Sequence, residues 1–194
     1  FSLPAPEVDG RLERARGRFV AFLDCDDWWH PLKLQRQMAA LGPGRAAFCC
    51  GPYHVCDAIG RPQRLQTVDA PLTARRYLHK QFVIGCLTVL VDTSLVGQFR
   101  FPDHLHKAED FVVWYDLLRR SEQLGMAAVS TADPLAYYRV HGGGQSHSKL
   151  QHAAAHWQIY SQELGLSLPM ALRCFLAYGF NGMIDRLRRP VVPR

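Results

Sequence analysis

The chain has 194 residues, 48% of them hydrophobic, with 23 Lys and Arg against 17 Asp and Glu, for a net charge of +6. That length and apolar content exclude a disordered chain and suit one α/β domain with an appended helical tail. The mild basic surplus favours phosphates, nucleotides or an anionic membrane surface over nucleic acid. Six scattered cysteines with no Cys-x-x-Cys pair argue against a zinc site or a secreted disulfide framework and fit a reducing cytoplasm. No apolar run reaches the roughly 18 to 20 residues that cross a bilayer. Because residue 1 is Phe, the chain is expected to begin inside a longer coding frame.

Taken in order, residues 11–17 are charged and predict a helix end capped at Gly17. Residues 19–23, Phe-Val-Ala-Phe-Leu, predict a buried strand that ends in Asp24, Asp26 and Asp27 and then in Trp28 and Trp29. His30-Pro31 predicts a helix start, with Leu34, Met38 and Leu41 on its apolar face and Gly42-Pro43-Gly44 as its stop. A buried strand is expected at 46–50, with 53–55 continuing it toward a turn at 57–60. Thr73 is placed to cap a short helix reaching Lys80. Residues 84–91 are the most strand-like run, expected at the centre of the sheet.

Beyond a His- and Pro-rich loop at 99–107, Glu109 and Asp110 open a helix with Phe111, Tyr115 and Leu118 at i, i+4 and i+7, ended by Gly125. Strands are predicted at 126–130 and 135–140, then a glycine-rich loop from His141. Two helices follow, at 149–164 and 168–187. The second is apolar over Leu172, Phe175, Leu176, Phe180 and Met183 and basic at Arg186, Arg188 and Arg189. Such a helix either packs on the sheet with a solvated basic tip or touches a membrane. The division read from this pattern is 1–148 for the α/β part and 149–194 for a helical extension packed on it.

Two acidic groups carry the chemistry. Asp24, Asp26 and Asp27 are readable as a polar turn with Asp27 as a partial cap, but three charges at the exit of an apolar strand repel one another unless a cation intervenes. Oxygen donors of this kind suit Mg²⁺ or Mn²⁺, bound together with a nucleotide's phosphates. Glu109 and Asp110 suit the macrodipole of their helix, and a carboxylate there that faces a cleft also suits a general base. Trp28 and Trp29 serve either as packing or as a sugar platform.

Residues 15–34, Ala-Arg-Gly-Arg-Phe-Val-Ala-Phe-Leu-Asp-Cys-Asp-Asp-Trp-Trp-His-Pro-Leu-Lys-Leu, closely resemble the "ARGxYIAFLDxDDxWxPxKL" pattern of family 2 glycosyltransferases. Ile84-Gly85-Cys86-Leu87-Thr88-Val89, Ala108-Glu109-Asp110-Phe111 and Leu135-Ala136-Tyr137-Tyr138-Arg139-Val140-His141 resemble later landmarks of that family, in its order. Within the family the chain is most similar to the branch that builds teichuronic-acid and other bacterial cell-surface polysaccharides.

The resemblance implies a partial GT-A fold, Rossmann-like with a mixed sheet, working in the cytoplasm or at the inner face of the plasma membrane. It implies a UDP- or GDP-linked sugar donor, Mg²⁺ or Mn²⁺ as cofactor, and a glycan or lipid-linked acceptor. Asp24 would lie near the donor's ribose and Asp26 on the metal, with Asp27 assisting and His141 a further metal or diphosphate contact. Asp110 would be the base that deprotonates the acceptor hydroxyl in an inverting transfer, oriented by Glu109.

The family's first βαβ units, which hold the nucleobase, precede the equivalent of Arg11, so weak or no donor binding by this chain, and an inactive chain as it stands, are expected. No Q-x-x-R-W element follows Asp110, which favours a single sugar transfer over polymerisation. Two alternatives stand beside this reading. One is a haloacid-dehalogenase-type phosphatase, disfavoured by Trp28 two places after Asp26; the other is a non-catalytic remnant that binds a partner.

Overall fold

In the computed structural model, which describes residues 12–105, 108–140 and 149–187, the apolar run at 19–23 pairs only over its first three residues. There β1 (Phe19–Ala21) lies antiparallel to β6 (Leu90–Asp92). Phe22 then packs against Phe99, Phe101 and Trp114, while Leu23 is exposed. Ahead of the strand, residues 12–15 make one turn, closed by Ala15 N donating to Leu12 O at 3.0 Å, in place of the expected capped helix end. β3 (Phe48–Cys50) pairs with the other side of β6 and runs parallel to β7 (Val129–Ser130), which gives the order β1-β6-β3-β7.

The β-branched run thus lies inside the sheet as expected, but its strand is confined to Leu90–Asp92. Cys86–Thr88 form a 3₁₀ turn instead. Gly85 O accepts from both the backbone N and the Oγ1 of Thr88, at 2.8 and 2.7 Å. The carbonyls of Leu87 and Thr88 accept from the side chains of Trp29 and Gln37. Backbone groups committed to such partners are lost to a ladder.

The second sheet has the order β2-β8-β4-β5, from β2 (Trp28–Trp29), β8 (Ala136–Arg139), β4 (Tyr53–Cys56) and β5 (Pro62–Gln66). The paired tryptophans are therefore a strand, and Tyr53 begins a strand of a different sheet from β3. The chain changes sheets at Gly51-Pro52. The turn at 57–60 forms as expected, with Asp57 Oδ1 accepting from the N–H groups of Ile59 and Arg61. β5, which it introduces, has too few apolar residues to have signalled a strand.

Gly51 is sterically required at the crossing. A Cβ there would clash with Thr131 Oγ1, and Thr131 N is held by Cys50 O at 3.1 Å. Gly51→Ala is expected to cost about 2 kcal/mol of unfolding free energy by overpacking. The double variant Gly51→Ala/Thr131→Ala should recover most of it in denaturant titrations. Additive losses would show that the contact is not the cause.

Among the helices, α1 (Lys33–Arg45) departs from helical geometry at Gly42, Pro43 and Gly44, so the expected stop holds. Its buried face corrects the sequence reading. Leu34 and Met38 are exposed, and Lys33, Gln37 and Leu41 are buried. α2 (Ala74–Leu78) is capped by Thr73, whose Oγ1 accepts from Arg76 N at 3.2 Å. After the short α3 (Thr93–Val96), α4 (Glu109–Gln123) packs Phe111, Trp114, Leu117 and Leu118 into the core with Phe48, Val89 and Val91. Tyr115, expected on that face, lies at its edge, half-buried.

α5 (Lys149–Gln158), a wide turn at Ile159–Glu163 and α6 (Leu168–Leu187) close the chain. Ile159, Tyr160, Ala171 and Cys174 are fully buried in the same core as the first sheet. Tyr160 donates to Leu78 O at 2.9 Å and Asn181 to His79 O at 2.8 Å. The two carbonyls at the end of α2 are thereby satisfied by side chains from the C-terminal helices.

Candidate active site

The candidate site begins where β1 stops. Phe22 meets Trp114 ring to ring at 5.3 Å. Two residues after Phe22 comes Asp24, and one helical turn before Trp114 comes Asp110. A single aromatic contact thus draws the acidic turn and the start of α4 toward each other.

Cys86, in the 3₁₀ turn, marks where they meet. Burial pushes its thiol pKa well above the usual value, and the charges of Asp110, Asp24, Glu109 and Asp27 push it further the same way. Four carboxylates from two stretches of chain more than eighty residues apart therefore act on one sulfur. Residue patterns gave no role to Cys86. The signal lay in the Gly-x-x-Thr spacing, which makes the turn that carries it.

Asp110 has a carboxyl raised to about 6, chiefly by burial and next by the adjacent Glu109 charge. Its own helix opposes this, because the Phe111 and Asp110 N–H groups and the Trp114 indole favour the carboxylate. Among the described residues Trp114 Nε1 is buried without a partner at full hydrogen-bond geometry, so the indole acts here as a nearby dipole more than as a formed bond. Ala108, just before these acids, has φ of 58°, a left-handed conformation that alanine adopts only at a cost of about 1 kcal/mol. The geometry that presents Glu109 and Asp110 is under strain.

Asp27 is 9% exposed, and its Oδ1 accepts from Arg139 N at 2.8 Å. It does not cap α1, whose first residue follows Leu32. Its Oδ2 is buried with no hydrogen-bond partner among the described residues. Burial raises its pKa to about 6 against the Arg139 hydrogen bond, and Asp26 and Asp24 raise it further. An orphaned carboxylate oxygen beside two more acids, with oxygen donors only, fits a hard cation such as Mg²⁺ or Mn²⁺. Among the described residues no three His, Cys, Asp or Glu side chains are placed to hold an ion by themselves. His141 lies outside the described residues.

Trp28 and Trp29 face opposite sides of the second sheet. Trp28 stacks on Tyr137 at 5.2 Å and 3°, and Tyr137 on His54 at 5.3 Å. The Arg139 guanidinium carbon lies 5.1 Å from the Trp28 ring centroid. One face of Trp28 is thus taken by Tyr137, which answers the platform reading with packing. Trp29 donates to Leu87 O at 2.8 Å, beneath Cys86, and its ring carries the Lys33 ammonium at 4.1 Å.

Lys33 Nζ in turn donates to Gln37 Oε1 at 2.6 Å, and Gln37 Nε2 to Thr88 O at 2.6 Å. Both side chains are 1% exposed. This polar stack ties α1 and β2 to the residues next to Cys86. A pattern search for apolar periodicity passes over it, because the face it buries is polar.

Comparison with known proteins gives this geometry a context. The glycosyl transferase family 2 profile matches residues 11–101. A protein of Bacillus subtilis named as the teichuronic acid biosynthesis glycosyltransferase TuaG is 34% identical over 178 residues, covering 91% of this chain and 68% of that one. Escherichia coli WfgD, named as a UDP-Glc:α-D-GlcNAc-diphosphoundecaprenol β-1,3-glucosyltransferase, is 30% identical over 154 residues, covering 76% of this chain and 56% of its own.

In structure the chain is similar to Staphylococcus aureus TarS solved with UDP-GlcNAc, with a TM-score of 0.59 at 17% identity, over 92% of this chain and 52% of that one. That likeness shows the GT-A fold. The chain spans only part of each of these relatives' length. On the strength of the matched profile and the TuaG relationship, the chain belongs to glycosyl transferase family 2.

Proposed function

We propose that this chain forms the acceptor-side and diphosphate-side portion of an inverting glycosyltransferase that moves one sugar from a nucleotide-sugar to a glycan or lipid-linked acceptor in cell-surface polysaccharide synthesis. The observation that carries the reading is that Phe22, two residues before Asp24, packs on Trp114, one turn after Asp110, with the charges of Asp24, Asp27, Glu109 and Asp110 all acting on Cys86. Relatives named for transfer from UDP-Glc to a diphosphoundecaprenol-linked sugar, and a TarS structure holding UDP-GlcNAc, support the donor and acceptor classes.

In this reading Asp110 takes the proton from the acceptor hydroxyl as that oxygen attacks the anomeric carbon, and the bond to the diphosphate oxygen breaks. A carboxyl raised to about 6 is still ionised at neutral pH and is a stronger base than an ordinary aspartate. Glu109 holds Asp110 basic through its charge. Asp24 would lie toward the nucleotide-sugar, and Asp26 would hold the metal. When bound, the ion neutralises the diphosphate as a leaving group. Asp27 fixes the acidic turn to Arg139 of β8.

The test is transfer from UDP- and GDP-linked sugars to a lipid-linked diphosphate sugar with Mn²⁺. Wild-type rates in both Asp26→Ala and Asp110→Asn would sink the assignment. An independent readout is Cys25, an exposed thiol between Asp24 and Asp26. Its alkylation should slow at least about threefold when UDP and Mn²⁺ bind next to it, and Asp26→Ala should abolish the protection. Unchanged alkylation at saturating ligand would argue that the diphosphate binds elsewhere.

A further inference from the structure

Helix α6 is apolar on two sides. One side, with Ala171 and Cys174, is buried in the core, and Phe175 and Tyr178 pack at its border. On the other side Leu168, Leu172, Leu176, Phe180 and Met183 are between 49% and 69% exposed. At 100° per residue these five fall within an arc of about 120° and extend along about 22 Å of helix. The described residues leave that stripe uncovered, and no described helix is long and apolar enough to cross a membrane.

Charge indicates what covers the stripe. From Leu164 to the last residue of the sequence there are five arginines, at 173, 186, 188, 189 and 194, and one acid, Asp185. Three of the five follow within a few residues of the stripe's end. A row of apolar side chains accompanied by unbalanced arginines complements a surface that is anionic on top and hydrocarbon beneath. A second copy of the same helix would bring like charges together.

We infer that α6 lies in the headgroup plane of an anionic bilayer, with Leu168, Leu172, Leu176, Phe180 and Met183 buried in the acyl boundary and the net positive charge of the surrounding sequence drawing it to anionic lipid. The purpose of this contact, holding the site beside a lipid-linked acceptor, rests on the proposed transfer reaction. The contact itself does not.

The experiment is flotation of the 194-residue chain with phosphatidylcholine vesicles, either pure or containing about one third phosphatidylglycerol. The chain should float with the anionic vesicles, and at least about tenfold less with the neutral ones or in high salt. Leu176→Asp/Phe180→Asp should reduce flotation at least about tenfold with unchanged circular dichroism, because both positions are exposed and outside the core. Absence of flotation by the wild-type chain, or flotation of the double variant at the wild-type level, overturns the inference. So does a wild-type dimer that the double variant converts to monomer with no vesicle binding, which would make the stripe a self-association face. The Asp110→Asn chain should float like wild type, so a failure of the transfer reading leaves this result unaffected.

Discussion

Asp110→Asn is expected to lower sugar transfer by about a thousandfold and, in the same protein, to raise stability at neutral pH. The first effect follows from the proposed role of Asp110 as general base. The second follows from linkage. The Asp110 carboxyl titrates near 6 in the folded protein, against an unfolded value of about 4. Between those values the folded state holds the proton more tightly, so stability falls as pH rises through this window and stays lowered above it. A shift of about two units corresponds to roughly 3 kcal/mol, which the neutral amide no longer loses.

Denaturant titrations at about pH 4.5 and pH 7 should therefore give an Asn variant whose advantage appears only at the higher pH. The wild-type transfer rate should climb about tenfold per pH unit below 6 and level off above it. An Asn variant less stable than wild type at pH 7 would mean that Asp110 is a structural anchor and not a strained base.

The second large effect concerns Lys33. Its ammonium is 1% exposed, lies over Trp29 and donates to Gln37, and burial lowers its pKa to about 8. In the unfolded chain a lysine titrates at about 10.4. From pH 8 upward the folded protein has shed a proton that the unfolded chain keeps, so this group's contribution to stability grows as pH rises, to a total of about 3 kcal/mol by pH 10.5.

Buried thiols pull the other way at high pH. The informative quantity is accordingly the difference between wild type and Lys33→Met, in which shared terms cancel. That difference should move toward wild type by roughly 1.4 kcal/mol per pH unit above 8. A difference flat from pH 7.5 to 9.5 would mean that the amine is hydrated in the folded protein. Because Gln37 and Trp29 also hold the carbonyls beside Cys86, Lys33→Met should also loosen the acidic site.

The parts of the fold that depend on local chemistry were legible in the residues. Thr73 caps its helix, Gly42-Pro43-Gly44 breaks another, and Gly125, with φ of 68°, ends a third. What escaped was decided by distant partners. The Leu34-Met38 spacing pointed the wrong face of α1 inward, because the burial of Lys33 and Gln37 depends on Trp29 and Thr88, far along the chain. The 84–91 run looked like one strand because its composition is β-branched, yet side chains from α1 and β2 occupy the carbonyls its first half would have paired. The two acidic groups were visible as residues; that they meet over Cys86 was visible only once Phe22 and Trp114 were seen in contact.

The passage from β3 to β4 at Gly51 runs beside the passage from β7 to β8 at Thr131. Because β3 is parallel to β7 and β4 to β8, the two sheets are sewn together by a pair of neighbouring stitches. One stitch alone would let the sheets pivot like pages on a spine; two lock the angle. The acidic turn leaves from one page, and Arg139, which grips Asp27, stands on the other. Loops above the seam can therefore lengthen or change sequence while the carboxylates beneath keep their spacing.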